Sequence, residues 1–354
     1  MKNSFGKRLI KNKAALAGIV IIITSIVIAF SAYLIVPDTT PNANRIIPEI
    51  GSKKPGFSIQ FLLLKKEKNN EENFLQKIIS GKQDAFTYIP ITSYKQKNDS
   101  IIYQKYVDDN IFETKTIALK NIASPNIVTK KFYLGTDRFG RDILSRLLIG
   151  TRVSLSVGLI AVIISLTIGI LLGSLAGYFK GWVDDVIMWL INVLWSIPTL
   201  LLVFAITLVL GKGFWQVFIA VGLTMWVNVA RLVRGQVMQV RELEFIEATK
   251  ALGYSNTRTI IKHILPNILG PVLVIAASNF ASAIVIEAGL SFLGVGVQPP
   301  QPSWGLMIKE NYNFIITNNP MLALTPGIAI MLLVLAFNLL GNGLRDALNV
   351  KSKL

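Results

Sequence analysis

The 354-residue sequence contains no cysteine and a single histidine, His263. The first absence excludes disulfides, thiolate metal sites and a cysteine nucleophile, and the second excludes His-rich metal centres and most histidine-based catalysis. Charge is scarce, because 16% of the residues are charged whereas an ordinary soluble domain has about 25%. With 52% hydrophobic residues and a mean hydropathy of +0.53, the composition favours a membrane protein.

Signatures of enzymes and nucleotide-binding sites are also missing. Residues 211–213 and 81–83 contain a Gly-Lys pair, but neither fits the phosphate-binding loop G-x-x-x-x-G-K-[ST]. No H-E-x-x-H or G-x-S-x-G pattern occurs. We therefore expect a chain that is not an enzyme and that binds no cofactor or metal itself. The net charge of +16 would suggest nucleic acid in a soluble protein, but a positive-inside bias explains it here, so no nucleic-acid partner is expected.

Long apolar runs predict an all-α polytopic protein in a lipid bilayer. The first run, residues 14–36, is uncharged and roughly 35 Å long as a helix. Because a signal-peptide core has only about 7–15 residues, we interpret this run as an uncleaved anchor. Five further spans bring the number of transmembrane helices to six: 153–179, 186–210, 214–233, 268–293 and 322–344.

The distribution of basic residues predicts the topology. Fifteen lysines and arginines lie in the segments assigned to the cytoplasm, whereas the short loops on the other side carry only Lys212 and Lys309. Both termini are therefore expected in the cytoplasm. Arg141 and Arg146 belong to a basic amphipathic helix, capped by Thr136 and Asp137, that is expected at the outer interface.

Residues 37–133 differ in composition from the rest and predict a small extracytoplasmic insert of mixed or irregular structure. They contain Arg45, fourteen lysines and ten acidic residues. The spacing of apolar residues is helical over 58–64 and 73–79, while 86–91 and 100–107 are typical of strands. The lysine excess indicates a solvated surface or, alternatively, a docking surface for an acidic partner.

The most informative segment is the predicted cytoplasmic loop 234–267. Residues 242–252 predict a short amphipathic helix, and Gly253 follows where a left-handed turn would close it. A second short helix is expected to start at a cap formed by Ser255 and Asn256 and to run through His263, with Pro266 ending it. An amphipathic helix held by a glycine turn is suited to dock on a soluble partner.

Four stretches of the sequence resemble a known family. Glu247-Ala248-Thr249, Gly253 and Leu265-Pro266 resemble the "EAA…G…I-x-L-P" loop of ABC-importer permease subunits. Thr249 departs from the usual second alanine, and His263 departs from the usual isoleucine. Residues 134–155, 290–305 and 343–348 are similar to the dipeptide/oligopeptide C-type subunits of that family. The insert 37–133 exceeds the family pattern.

This resemblance implies a type I ABC importer permease (MetI-like) fold in a bacterial inner membrane. It implies four kinds of partner: a homologous B-type permease, two cytoplasmic ATP-binding subunits that use the ATP, an extracytoplasmic solute-binding protein, and the lipid bilayer. Di- or oligopeptides are the implied substrates, with nickel or other small solutes as the alternative. The residues expected to couple the permease to the ATPase are Glu244, Phe245, Glu247, Ala248, Gly253, Leu265 and Pro266.

The expected organisation of the chain follows from these segments. It comprises 1–36 with the first span, the insert 37–133, the interfacial segment 134–152, the permease core 153–345 containing the loop 234–267, and the tail 346–354.

Glu287 lies within the fifth span and is a candidate for a substrate or gating role, although its place near the outer end suggests contact with water or headgroups. An ion-gradient-driven secondary transporter is the rival function, but no clear internal repeat supports it.

Overall fold

A computed structural model of the chain describes residues 2–66, 74–97, 99–316 and 319–348. The chain divides into two compact units. The helical unit comprises Met1–Ile26, Ser154–Gln298 and Ala329–Leu354, and the sheet unit comprises Val27–Val153 and Pro299–Ile328.

Helices dominate the described residues. They are α1 Lys2–Lys11, α2 Lys13–Ile35, α3 Phe74–Ser80, α4 Ile143–Phe179, α5 Gly181–Trp195, α6 Thr199–Leu210, α7 Phe214–Arg241, α8 Glu244–Ala251, α9 Asn256–Leu293, α10 Trp304–Asn311 and α11 Met321–Leu348. Within the described ranges, five helices are long and apolar enough to cross a membrane, namely α2, α4, α7, α9 and α11. The bent pair α5 and α6 is a sixth candidate.

The predicted span 186–210 is a broken helix. α5 and α6 are inclined by 92° to each other, and Pro198 immediately precedes α6. A proline has no amide to donate to the carbonyl four residues earlier, and its ring collides with that carbonyl in a regular helix. The hydropathy of this segment predicts its apolar length correctly, but it does not reveal the bend.

Three glycines on α4 allow α7 to approach closely, as the four-residue spacing predicts. A Cβ on Gly173 would lie 2.5 Å from the Ala230 carbonyl oxygen, and a Cβ on Gly169 would lie 2.5 Å from the Val229 Cβ. Gly177 makes the corresponding approach to Arg234 and Val237. The glycine stripe is thus a packing surface between two helices.

The insert folds as one antiparallel sheet. Its strands are β1 Phe57–Lys65, β2 Phe86–Lys97, β3 Ser100–Asp108, β4 Ile111–Ala118 and β5 Ile122–Phe132, in the order β4-β3-β2-β1-β5. The predicted strands 86–91 and 100–107 are confirmed by β2 and β3. The predicted helix 73–79 is confirmed by α3, with residue 73 outside the described residues.

The predicted helix over 58–64 is wrong, because these residues form β1. Phe61 and Leu63 pack in one hydrophobic cluster and Leu62 packs in another. A strand that is buried on two faces reads as a continuous apolar run and loses the alternation that identifies a strand in sequence.

The segment before α4 also differs from expectation. Asp142, and not Thr136 or Asp137, caps α4, since its Oδ2 accepts a 2.9 Å hydrogen bond from the Ser145 amide. Arg141 and Arg146 are 3% and 0% exposed, so they are buried in the protein and do not form the exposed basic face of an amphipathic helix; the position of this segment at the outer interface stays a prediction. Nearby carboxylates within the sheet unit compensate their charge.

Candidate functional site

The connection between α7 and α9 contains one short helix, α8, which carries most of the predicted coupling residues. Glu244 and Glu247 lie in its first turn and Lys250 lies in its last turn. This order of charges complements the helix dipole. α8 begins two residues later than the predicted helix 242–252. The non-helical connections on both sides of α8 are short, because α7 extends to Arg241 and α9 begins at Asn256.

One side of α8 is anchored in the helical unit. Ile246 is 0% exposed and shares a cluster with Val237 of α7 and Ile264 of α9. Thr249 is also buried, and its hydroxyl donates to the Ile246 carbonyl at 2.7 Å and lies 3.3 Å from the hydroxyl of Thr259. Complete burial of such an isoleucine stabilises the packing by about 1.5–3 kcal/mol, so α8 is fixed to both neighbouring helices.

The opposite side of α8 is exposed. Phe245 is 44% exposed, and Glu244, Glu247 and Ala248 are exposed beside it. The structure thus brings these four predicted residues together on one surface. It separates them from Ile246, which is buried on the other side of the helix. Exposed apolar residues flanked by acids are typical of a protein-protein contact.

α8 ends in a left-handed turn at Gly253, whose φ is +74°. The Gly253 amide donates to the Lys250 carbonyl at 2.9 Å, and the Tyr254 amide donates to the Thr249 carbonyl at 3.1 Å. Among the described residues, no atom lies within 4 Å of the position that a Cβ on Gly253 would take. The backbone conformation, and not a lack of space, therefore requires glycine here.

The predicted end of a second helix at Pro266 is wrong. Ser255 does cap the start of α9 by accepting a 3.4 Å hydrogen bond from the Arg258 amide, but α9 then continues through Pro266. The π-helical stretch Thr259–Ile264 precedes the proline, and such a wide turn tolerates the ring and the missing amide. Leu265 packs against the cluster that contains Ile246, whereas Pro266 is exposed.

The connection from α4 to α5 lies beside this site. Lys180 Nζ donates to Glu242 Oε1 at 2.7 Å, and this hydrogen bond lowers the pKa of Glu242. The hydroxyl of Tyr178 donates to Asn256 Oδ1 at 2.9 Å. Sequence reasoning missed these contacts, because 62 and 78 positions separate the partners and no local pattern marks them.

Glu287 of α9 is placed differently from the expectation. It is 0% exposed, so the predicted access of water or headgroups is wrong. The Ser291 hydroxyl donates to Glu287 Oε1 at 2.7 Å, and the same hydroxyl accepts from the Val297 amide at 3.0 Å. Glu287 thus joins a hydrogen-bonded turn in which the chain folds back after α9. Its substrate or gating role stays a prediction.

Part of the chain is similar to known proteins. Residues 169–353 match the family model described as binding-protein-dependent transport system inner membrane component. The chain is 42% identical over 221 residues to the glutathione transport system permease protein GsiD of Pectobacterium atrosepticum, covering 62% of this chain and 73% of that protein. It is 45% identical over 221 residues to the dipeptide transport system permease protein DppC of Alkalihalophilus pseudofirmus, covering 62% and 72%.

The fold is similar to a solved structure of the MetNI methionine ABC transporter in inward-facing conformations. The TM-score is 0.50 at 18% sequence identity, covering 58% of this chain and 97% of that chain. This similarity confirms the MetI-like fold predicted from the sequence. The matched segment spans more than half of the chain and the relatives are covered over more than two thirds of their length, so the chain belongs to the family of binding-protein-dependent transport system inner membrane components.

Proposed function

We propose that this chain is the permease subunit of an ATP-driven importer of di- or oligopeptides, and that α8 is the helix through which a separate ATPase moves it. One observation carries this proposal, namely the two-sided character of α8. Ile246 anchors the helix inside the helical unit, while Phe245 projects 44% exposed from it. A helix with one buried and one exposed side can bind a partner subunit from outside and transmit its movement to the helices packed beneath it.

The packing beneath α8 supports such a transmission. The cluster around Ile246 includes Tyr178 of α4, Val233 of α7 and Ile268 of α9. Because packed interiors deform little, a displacement of α8 would move three membrane-crossing helices together. Alternating inward and outward opening of a pathway between helices would follow from this movement.

The proposal assigns ATP to other subunits. The sequence contains no phosphate-binding loop, so two cytoplasmic ATP-binding subunits would supply the energy and dock on Glu244, Phe245, Glu247 and Ala248. A homologous B-type permease would complete the pore, and an extracytoplasmic binding protein would deliver the substrate. Both termini and α8 would face the cytoplasm of a bacterium, in accordance with the distribution of basic residues.

The substrate class rests on the relatives. The two proteins described above are named for the transport of glutathione and of dipeptides, and both compounds contain peptide bonds. Nickel or another small solute is the alternative within the wider family. Direct uptake measurements with labelled dipeptides and with nickel would separate these substrates.

The test is Phe245→Ala in the assembled transporter, with uptake and co-purification of the ATP-binding subunits as readouts. Docking should weaken by about tenfold, since large side chains in the centre of an interface contribute most of its affinity. Phe112→Ala is a matched control, because Phe112 is 45% exposed on β4 and should leave both readouts unchanged. Normal docking and uptake with Phe245→Ala would remove the coupling role.

The energy source is tested separately. Depletion of ATP with the ion gradient clamped should stop uptake, whereas a secondary transporter would continue. The purified chain alone should hydrolyse no ATP, and hydrolysis by it would contradict the assignment of the ATP site to partner subunits.

A further inference from the structure

The helical unit contains an open cavity of about 400 Å³. Its lining includes Trp195 of α5, Thr199 of α6, Asn228 of α7, Ser282 of α9 and Asn338 of α11. The lining residues in the described part of the chain are all uncharged. The volume lies within the range of about 300–1,000 Å³ that small-molecule sites occupy.

The polar residues of this cavity are informative because they lie on helices that cross the membrane. Asn228, Ser282 and Asn338 are exposed at the protein surface. Amide and hydroxyl groups are costly in hydrocarbon unless they meet protein, water or a polar solute. The cavity therefore faces an aqueous path or a partner subunit and not lipid.

Arg231 lies one helical turn beyond Asn228 on α7. Its guanidinium carbon is 3.6 Å from the centroid of the Trp195 ring, and its Nη2 donates to Asn192 Oδ1 at 3.1 Å. Trp195 Nε1 in turn donates to Asn228 Oδ1 at 3.2 Å. These contacts hold the cation at the edge of the cavity.

The charge of Arg231 is not compensated by the groups that hold it. Both partners in the described part of the chain are neutral, and the buried Nε has no hydrogen-bond partner there. The next arginine along α7 is different, since Arg234 donates two hydrogen bonds to Asp184. Arg231 is thus an oriented guanidinium whose charge no carboxylate in the described part of the chain is seen to pair with, and a guanidinium is the group that best recognises carboxylates.

We propose that Arg231, stacked on Trp195, receives the C-terminal carboxylate of the peptide in transit, while the neutral cavity beside it accommodates the peptide backbone. This inference rests on the proposed function. Every peptide with a free C-terminus carries a carboxylate there, whatever its sequence. A single cation next to uncharged amide and hydroxyl groups would bind this carboxylate in every peptide and would not discriminate between peptide side chains.

The experiment compares uptake of one dipeptide as the free acid and as its C-terminal amide, in vesicles that contain the complete transporter and its binding protein. Arg231→Gln should lower uptake of the free acid by about tenfold and leave the amide unchanged. Arg231→Lys should retain part of the preference, since it keeps the charge but not the paired donors. Lys212→Gln is the control, because it removes the same charge from an exposed site and should change neither rate.

The outcomes separate this inference from the function on which it rests. An equal loss for both peptides with Arg231→Gln, at unchanged protein amount, would assign Arg231 a structural role and overturn the proposal. Unchanged uptake of both would place Arg231 outside the path and overturn it as well. Failure of the wild-type transporter to import either peptide would instead contradict the proposed function.

Discussion

Arg141 Nη2 lies 2.7 Å from Glu310 Oε2, although 169 positions separate these residues in the sequence. Their side chains are 4% and 8% exposed. Arg141 also donates to Asp137 at 2.6 Å, and Arg146 Nη2 lies 3.5 Å from Glu310. This buried cluster joins the loop before α4 to α10 within the sheet unit.

Glu310→Ala should strongly destabilise the sheet unit. The substitution leaves two buried guanidinium groups with one carboxylate fewer, and breaking a buried pair costs about 3–5 kcal/mol. Thermal unfolding of the detergent-purified protein measures the effect.

Glu113→Ala is the control for this prediction. Glu113 pairs with Lys115 at 2.8 Å, but the side chains are 53% and 48% exposed, so water screens the pair and its loss should hardly change the stability. Equal decreases in unfolding temperature for the two variants would contradict the structural importance of the buried pair.

Gly173→Val should disturb the contact between α4 and α7. The new side chain would meet the Ala230 backbone, and such overpacking costs about 1–3 kcal/mol. Gly235→Ala on α7 is the comparison, since no described atom lies within 4 Å of the added Cβ. Gly235→Ala should be neutral or stabilising by up to about 1 kcal/mol. Thermal unfolding is the measurement, and a lower unfolding temperature for Gly235→Ala than for Gly173→Val would contradict the close contact between α4 and α7.

Gly253→Val should lose transport and still insert into the membrane. Its left-handed backbone costs a residue with a Cβ about 1–2 kcal/mol, and relief of that strain would reorient α8. Gly253→Asn should retain more uptake, because asparagine tolerates this conformation better. Uptake per inserted molecule is the measurement, and wild-type rates with Gly253→Val would exclude a role for the turn.

Lys130 on β5 should lose its proton near pH 8. Burial and the positive charge of Arg45 together lower its pKa to about 8, against the opposing effect of Asp38, Asp84 and Asp142. The ordinary value is 10.5, so between these values the unfolded chain binds more protons than the folded one. The free energy of unfolding should therefore rise as the pH increases from about 8 to 10.5. Below about pH 8 the buried amine is charged, and its full penalty on stability is present.

Amine labelling as a function of pH, read by mass spectrometry on the Lys130 peptide, measures this titration. Arg45→Gln should move the midpoint upward, because it removes a neighbouring positive charge. The unfolded protein is the reference. A folded-state midpoint equal to that of the unfolded chain would contradict the burial of this amine.

Local chemistry made much of this protein predictable. The apolar runs predicted the membrane-crossing helices, the aromatic and β-branched residues over 100–107 predicted β3, and the position of Gly253 predicted the end of α8. Each of these features depends on residues within a few positions of one another. The family resemblance led us to expect Glu244, Phe245, Glu247 and Ala248 among the coupling residues, and this role stays a prediction.

Only the tertiary structure decided the features that depend on distant segments. β1 reads as a helix in the sequence because its two faces are covered by residues far along the chain. Arg146 reads as a solvated basic residue, but the fold buries it with Asp137 and Glu310 at 3.9 and 3.5 Å. In the same way, Phe245 and Ile246 are adjacent apolar residues in the sequence, and the packing of α7 and α9 buries Ile246 and leaves Phe245 exposed.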